Sequence, residues 1–182
     1  MKFYRILKIM KKIVLVKIIL YIIFLIMFCC GIYMEKNQNV ANKLYGMILS
    51  FPILGLLTNI IHEIGHIIFA KFFSCRITSI KIGILKFYFK PFNISVEENG
   101  LLSGQCSLII KDNLPMWKKH FVLMGGVYSN IVFLAFNLLM HFYFKDAITI
   151  CIIFCCSLNI LANGLYKKSP DRVLLNKLRN KN

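Results

Sequence analysis

One short run in the sequence has the residue types and the spacing of a catalytic metal site. It reads His62-Glu63-Ile64-Gly65-His66, the pattern H-E-x-x-H. On a helix, positions i and i+4 lie on one face, so both imidazoles reach one ion. Glu63 projects about 100° away and can hold a water molecule at the metal's open position. The metal lowers the pKa of that water to about 7, and the carboxylate accepts its proton during attack on a peptide carbonyl.

The pattern alone fixes only three positions, and it also occurs by chance in unrelated proteins. Its surroundings favour the metal site, because His62, Glu63 and His66 lie within a long apolar segment. A charged group in the middle of a membrane span costs about 2–3 kcal/mol on insertion scales. Such residues persist where they are paired or bound to metal. We therefore predict a metal site, with zinc as the cofactor.

The composition predicts the elements that hold this motif. Of the 182 residues, 58% are hydrophobic and 16% are charged, against about 45–50% and 25% in soluble domains. A membrane span needs about 20 apolar residues. The sequence thus predicts an α-helical integral membrane protein, a single membrane domain over 1–182 with a tail at 167–182. The four predicted transmembrane helices cover about 13–33, 44–70, 121–144 and 147–166.

The net charge of +16 would suggest nucleic acid in a soluble protein. Here the basic residues sort by segment: nineteen lie in the N-terminal segment, the stretch between spans two and three, and the tail, and three lie in the other loops. By the positive-inside rule, both termini and the middle stretch are cytoplasmic. We therefore expect contact with the lipid bilayer and no nucleic acid. Richness in Ile, Lys, Asn and Phe is typical of a low-GC bacterium, which indicates a bacterial plasma membrane.

Between spans two and three, the stretch 76–110 alternates apolar and polar residues with the period of a strand. Glu97-Glu98-Asn99-Gly100 predicts a hairpin turn, with Leu101–Ile110 as the return strand. The result would be a small cytoplasmic antiparallel β-sheet. Its exposed edge could hold a substrate segment as an added strand, and proline substitution along that edge should then slow cleavage.

Tetrahedral catalytic zinc needs a third protein ligand. His141 and Asp146 fall at the outer side of the membrane, far from a motif in the cytoplasmic half of its span, and Glu97 and Glu98 lie in a turn. Asp112 is possible from a solvent loop. Asp171 remains, just beyond span four on the cytoplasmic side.

These motifs together resemble the site-2 protease family of intramembrane zinc metalloproteases, over roughly residues 44–175. Asn163 precedes Asp171 by eight positions, Asn159 is an alternative start, and Gly125-Gly126 with Asn130 resembles the family's preceding core span. The resemblance implies Asp171 as third ligand beside His62 and His66, and Glu63 as general base. It also implies that Asn163 or Asn159 donates to the developing oxyanion. The substrate would be a single-span membrane protein or a peptide precursor.

The sequence departs from the family pattern at the third ligand. The family's Pro is replaced by Ala162 or Tyr166, depending on the register, and its Gly after the ligand is Arg172. Gly164 and Pro170 could break the helix instead. Ser169-Pro170 also reads as the start of an ordinary surface helix with Asp171 at its N-terminus.

Two other functions therefore stay open at this point. One is a non-catalytic membrane relative that acts as a scaffold or as an immunity or secretion accessory protein. The other is a cysteine peptidase that uses Cys75 with His66, which lacks an evident orienting partner. The sequence leaves the substrate's identity and the oligomeric state open.

Overall fold

The computed structural model describes residues 2–35, 39–97, 100–111, 113–165 and 169–179. Two long helices come first, then four strands, then two more helices, and a short helix ends the described chain. In order, the elements are α1 (Lys2–Glu35), α2 (Val40–Phe72), β1 (Arg76–Ile82), β2 (Leu85–Phe89), β3 (Phe92–Val96), β4 (Gly104–Ile109), α3 (Met116–Phe144), α4 (Ala147–Ile160), a π-helical turn (Leu161–Leu165) and α5 (Pro170–Arg179).

Four of these helical segments are long and apolar enough to cross a membrane, as the composition predicts. They cover Leu15–Met34, Val40–Phe72, Met116–Phe144 and Ala147–Leu165. The prediction of four such helices around a small antiparallel sheet is confirmed, with α2 and α3 each a few residues longer than expected. Insertion into a bilayer and the cytoplasmic side of the termini remain predictions. The expected end of span four at Tyr166, and the start of the tail, lie outside the described residues.

The helix α2, which carries the H-E-x-x-H motif, packs against α1, α3 and α4. Its approach to α3 is close because Gly65 lies opposite Gly125. A Cβ atom on Gly65 would lie only 2.8 Å from the carbonyl carbon of Gly125, a distance that no side chain tolerates. Two facing glycines thus bring the backbone of α3 against the helix face that carries His62 and His66.

The sheet has the strand order β3-β2-β1-β4, and every pairing is antiparallel. The predicted hairpin between β3 and its return strand does not form. Instead β3 pairs with β2, with Phe87 opposite Ile94, and β4 pairs with β1, with Ile80 opposite Cys106. Both β3 and β4 are therefore edge strands of the described sheet.

Two ion pairs lie at the start of the crossing from β3 to β4. Glu97, just after β3, accepts hydrogen bonds from Lys81 at 2.8 Å and from Lys86 at 2.7 Å. These two cations lower the pKa of Glu97 to about 2 and hold the chain across β2 and β1. Gly100 then adopts a positive φ of 79°, a conformation that glycine tolerates. Strand pairing depends on contacts between residues that are distant in the sequence, which a local turn signal does not contain. Glu98 and Asn99 lie outside the described residues.

Candidate metal and hydrolytic site

The structure brings His62, His66 and Asp171 together around one point. The Nε2 atoms of His62 and His66 are 3.2 Å apart. The Oδ2 atom of Asp171 lies 3.2 Å from Nε2 of His62 and 3.4 Å from Nε2 of His66. Both imidazoles are 4% exposed. These three residues form a cluster that could hold a metal ion.

The size of this triangle fits a tetrahedral ion. Zinc binds nitrogen and oxygen at about 2.0–2.1 Å, so neighbouring ligand atoms around a tetrahedral zinc are about 3.3–3.4 Å apart. The three observed separations, 3.2, 3.2 and 3.4 Å, lie close to that value. Lone pairs from three groups that converge so closely repel one another unless a cation or a proton lies between them. The residues present therefore fit zinc.

Contacts from α3 fix the orientation of both imidazoles. Nδ1 of His66 lies 2.9 Å from the backbone oxygen of Val122. Because a carbonyl only accepts, Nδ1 carries the proton, and Nε2 keeps the lone pair that a metal needs.

Asn130 orients the imidazole of His62 in a similar way. The Asn130 side chain is fully buried, and its amide nitrogen lies 3.4 Å from Nδ1 of His62, while its Oδ1 has no partner among the described residues. The two ends of an amide are nearly the same size. The reversed orientation would let Nδ1–H of His62 donate to Oδ1 and would satisfy both groups.

Asp171 reaches the histidines through a change of helical geometry after α4. The α-helix ends at Ile160, and the π-helical turn Leu161–Leu165 follows. Asp171 lies in the first turn of α5, as the alternative interpretation of Ser169-Pro170 also expects. Leu175 anchors α5, because it is buried against Leu123, Met124 and Val127 of α3. A hydrophobic contact one turn beyond the carboxylate thus holds the third ligand in place.

The charge state of Asp171 suits a ligand. Burial would raise the pKa of its carboxyl group, but in the metal-free site a proton held between Oδ2 and the Nε2 atoms of His62 and His66, where the metal would otherwise lie, outweighs burial and keeps the pKa below its ordinary value. Asp171 is therefore ionised at neutral pH, as metal binding requires.

Glu63 lies against Gly104 of β4 and lines the same cavity as His62 and Asp171. It is 6% exposed, and its Oε2 atom has no hydrogen-bond partner among the described residues. Gly104 lies directly against it, since a Cβ atom there would come within 2.6 Å of Oε1 and 2.7 Å of Cγ. The backbone of Cys106 adds a hydrogen bond to the carboxylate. The absence of a side chain at Gly104 leaves the space that Glu63 occupies.

A cavity of about 590 Å³ opens beside these groups and is lined by a mixture of polar and apolar residues. Its lining includes His62, Glu63, Asp171 and Asn163, with Gly104 to Cys106 of β4 along one wall. Burial, with the nearby charges of Glu63 and Asp171, raises the pKa of the Cys106 thiol to about 12. The thiol is therefore neutral in the metal-free protein.

The two asparagines that the resemblance implies lie one turn apart, and only Asn163 lines this cavity. Asn163 Nδ2 donates to Oδ1 of Asn159 at 2.6 Å, and Asn159 Nδ2 donates to Oδ1 of Asn59 at 2.5 Å. The amide of Asn163 therefore lies at the cavity, and Asn159 holds it through a hydrogen bond.

Sequence reasoning assigned no role to Asn59, and it named Asn130 only as part of the segment that resembles the family's preceding core span. Both are polar residues within an apolar span, which is the signal that indicates a role for them. Their partners could not be known without the rotation of each helix about its axis.

The other histidines of the chain, and the remaining acidic candidates for the third ligand, have other contacts or lie outside the described residues. His120 lies 3.1 Å from the hydroxyl of Tyr128 and His141 2.9 Å from that of Thr149, while Asp146 caps α4. Asp112 lies outside the described residues. Both ring nitrogens of His66 are engaged by Val122 and by the ligand triangle. Neither nitrogen is left to activate Cys75.

Comparisons of this chain with models of protein families, with curated proteins and with solved structures give no match. The resemblance to site-2 proteases therefore stays a prediction that rests on the motifs quoted above.

Proposed function

We propose that this protein is a zinc-dependent intramembrane endopeptidase that hydrolyses a membrane-embedded protein or peptide precursor. One observation carries the proposal: the ligand atoms of His62, His66 and Asp171 form a triangle of tetrahedral-zinc size with Glu63 beside it. Four apolar helices around these groups support a reaction within the membrane. Zinc bound there would lower the pKa of a water molecule in its open position and polarise a peptide carbonyl.

The chain's own residues would divide the remaining work. His62, His66 and Asp171 bind the ion, with the imidazoles oriented by Asn130 and by the carbonyl of Val122. Glu63 accepts the proton of the attacking water and returns it to the amine that leaves. Its unpartnered Oε2 and its burial suit that exchange, since no other group of the described chain holds this oxygen.

Asn163 would assist at the carbonyl oxygen. Its amide lies at the lining of the cavity that holds Glu63 and the metal ligands. An N–H donor aimed at an oxygen that gains negative charge stabilises the transition state more than the ground state.

The edge strand β4 would hold the substrate extended. A helical peptide bond resists hydrolysis because its carbonyl is shielded and hydrogen-bonded. Gly104 and Cys106 line the cavity at the outer edge of the sheet. A substrate segment that adds there as a strand would lie across Glu63.

A non-catalytic membrane relative remains the alternative, because Arg172 stands where the family has a glycine. Such a scaffold or accessory protein would keep the zinc without turnover.

The test compares the purified protein with Glu63→Gln and Asp171→Ala. Zinc is measured by mass spectrometry, and cleavage is measured on a panel of single-span reporter proteins reconstituted in vesicles. We expect Glu63→Gln to keep one zinc and to lose cleavage by at least about 100-fold, and Asp171→Ala to lose the zinc.

Two matched variants control for the chemical change itself. Glu97→Gln alters a carboxylate on the sheet surface, and Asp146→Ala removes the cap of α4 far from the triangle. Both should keep zinc and activity. Cleavage by Glu63→Gln at the parental rate, or zinc retained by Asp171→Ala, would refute the assignment. Zinc bound by the parent with no reporter cut would favour the non-catalytic relative.

A further inference from the structure

Asn59 lies on α2 one turn before His62 and joins two chain segments that are distant in sequence. Its Nδ2 donates to the backbone oxygen of Leu102 at 2.6 Å, at the approach to β4. Its Oδ1 accepts from Nδ2 of Asn159 at 2.5 Å, on α4. One side chain thus connects the helix of the H-E-x-x-H motif to the wall that faces Glu63 and to the helix that leads to Asp171.

The connection continues to the third ligand. Oδ1 of Asn159 accepts from Nδ2 of Asn163, and the backbone oxygen of Asn163 accepts from the hydroxyl of Ser169 at 3.0 Å. The backbone oxygen of Ser169 accepts from the N–H of Val173 at 2.9 Å, in the first turn of α5. Together with the covalent links within Asn163 and Ser169, these hydrogen bonds connect Leu102, just before β4, to the turn that holds Asp171. We call the three side chains Asn59, Asn159 and Asn163 the amide ladder.

The carbonyl of Leu102 determines which end of each amide in the ladder donates a hydrogen bond and which end accepts one. A carbonyl only accepts, so Asn59 must turn its NH₂ group toward it and its oxygen toward Asn159. Asn159 must then present its NH₂ group to Asn59 and its oxygen to Asn163. The NH₂ group of Asn163 is oriented as a consequence, although Asn163 never touches Leu102.

We propose that Asn59 is a positioning residue for this site. It holds the chain that leads into β4, the amide of Asn163 and the turn before Asp171 in fixed positions relative to one another. Its effect on cleavage rests on the proposed function, whereas its effect on metal geometry and on the two segments does not.

Asn137 is a buried asparagine whose hydrogen bond stays within its own helix and does not link separate elements. It is 5% exposed on α3, and its Nδ2 donates to the oxygen of Phe133 within its own helix at 2.8 Å. A buried amide therefore finds a partner on its own helix, and it need not link separate elements. Asn137→Asp is the matched control for Asn59→Asp.

The experiment uses the full chain in detergent with Co²⁺ as the probe in place of zinc. Asn59→Asp nearly keeps the shape of the side chain but removes the NH₂ donor and places an acceptor against the Leu102 carbonyl. We expect faster backbone hydrogen exchange in the segments 104–109 and 170–179, with the cores of α2 and α3 unchanged. We expect about tenfold weaker Co²⁺ binding and a shifted visible absorption band, as for loss of an outer contact. Asn59→Ala should give the same pattern, and Asn137→Asp should give none of it.

Each possible result either supports or overturns the positioning role of Asn59. Unchanged exchange in both segments would overturn the positioning role, and so would an unaltered cobalt spectrum. Exchange that rises through every helix in both Asn59 variants would mean that Asn59 only supports the bundle, which also overturns the proposal. If the parent binds no Co²⁺, the proposed hydrolytic function fails, while the exchange pattern still decides whether Asn59 positions the two segments.

Discussion

His62 and Asp171 are 109 positions apart in the sequence, yet Nε2 of the first and Oδ2 of the second lie 3.2 Å apart. The two histidines come from one helix face and need only local geometry. The aspartate needs the packing of α5 on α3 and the turn after α4. The three ligands therefore meet only in the folded protein. Substitutions elsewhere in the chain, which change none of the three ligands, should still abolish metal binding.

Gly126→Ala should weaken metal binding without touching a ligand. A Cβ atom at this position would lie 2.5 Å from Cε1 and 2.6 Å from Cδ2 of His62, so the imidazole must leave its place. We expect at least about tenfold weaker zinc binding, measured by competition with a chelator. Gly55→Ala is the control, because nothing lies within 4 Å of a Cβ atom there. Equal zinc affinity in the parent and Gly126→Ala would show that His62 is free to move.

Gly104→Ala should separate the role of Glu63 from metal binding. The added methyl group would press on Oε1 and Cγ of Glu63 and displace the carboxylate from the cavity. We expect zinc to stay bound and cleavage of a responsive reporter to fall at least about tenfold. Ser103→Ala changes the same wall without added bulk and should cleave normally. Loss of zinc from Gly104→Ala would mean that the β4 wall also supports the metal ligands.

Strand addition at β4 predicts an alternating pattern along the substrate. In an antiparallel pairing, the N–H groups of one strand point in turn toward the partner and away from it. N-methylation of a cleaved reporter peptide should therefore slow cleavage at every second residue of the bound segment and spare the residues between. Rates of the methylated series by mass spectrometry test this. Uniform rates, or slowing at neighbouring residues alike, would exclude pairing at this edge.

Trp117, the only tryptophan of the chain, offers a test of the prediction that α3 crosses the membrane. It is 56% exposed, packs edge-on against Phe73, and has the ammonium group of Lys118 5.2 Å from its ring centre. Aromatic rings and lysines of this kind favour the headgroup region. We expect brominated lipids to quench its fluorescence more strongly when bromine lies near the headgroup than near the chain end. Trp117→Phe gives the background, and emission unaffected by either lipid would place the ring in water.

The sequence predicted the features that depend on local spacing. Two imidazoles at i and i+4 share a helix face whatever surrounds them, so His62 and His66 could be paired in advance. The four apolar helices follow from hydropathy and length. Asp171 was reached because few acidic residues could lie on the same side of the membrane, and because the resemblance implies it.

The remaining features depend on how elements rotate and pack. β4 pairs with β1, so that Ile80 lies opposite Cys106, a residue that is distant from it in the sequence. A local turn signal says nothing about such contacts. The meeting of Asn59 with Asn159 needs the rotation of α2 and α4 about their axes, and hydropathy leaves that rotation free.

The π-helical turn at Leu161–Leu165 makes the chain length between α4 and α5 critical. Such a turn is, in effect, one residue inserted into an α-helix. Deletion of a single residue there would let regular winding resume and would rotate the last residues of this turn by about 100° about the helix axis. Asn163 would then turn away from Asn159, so the geometry of the whole amide ladder depends on one residue of chain length.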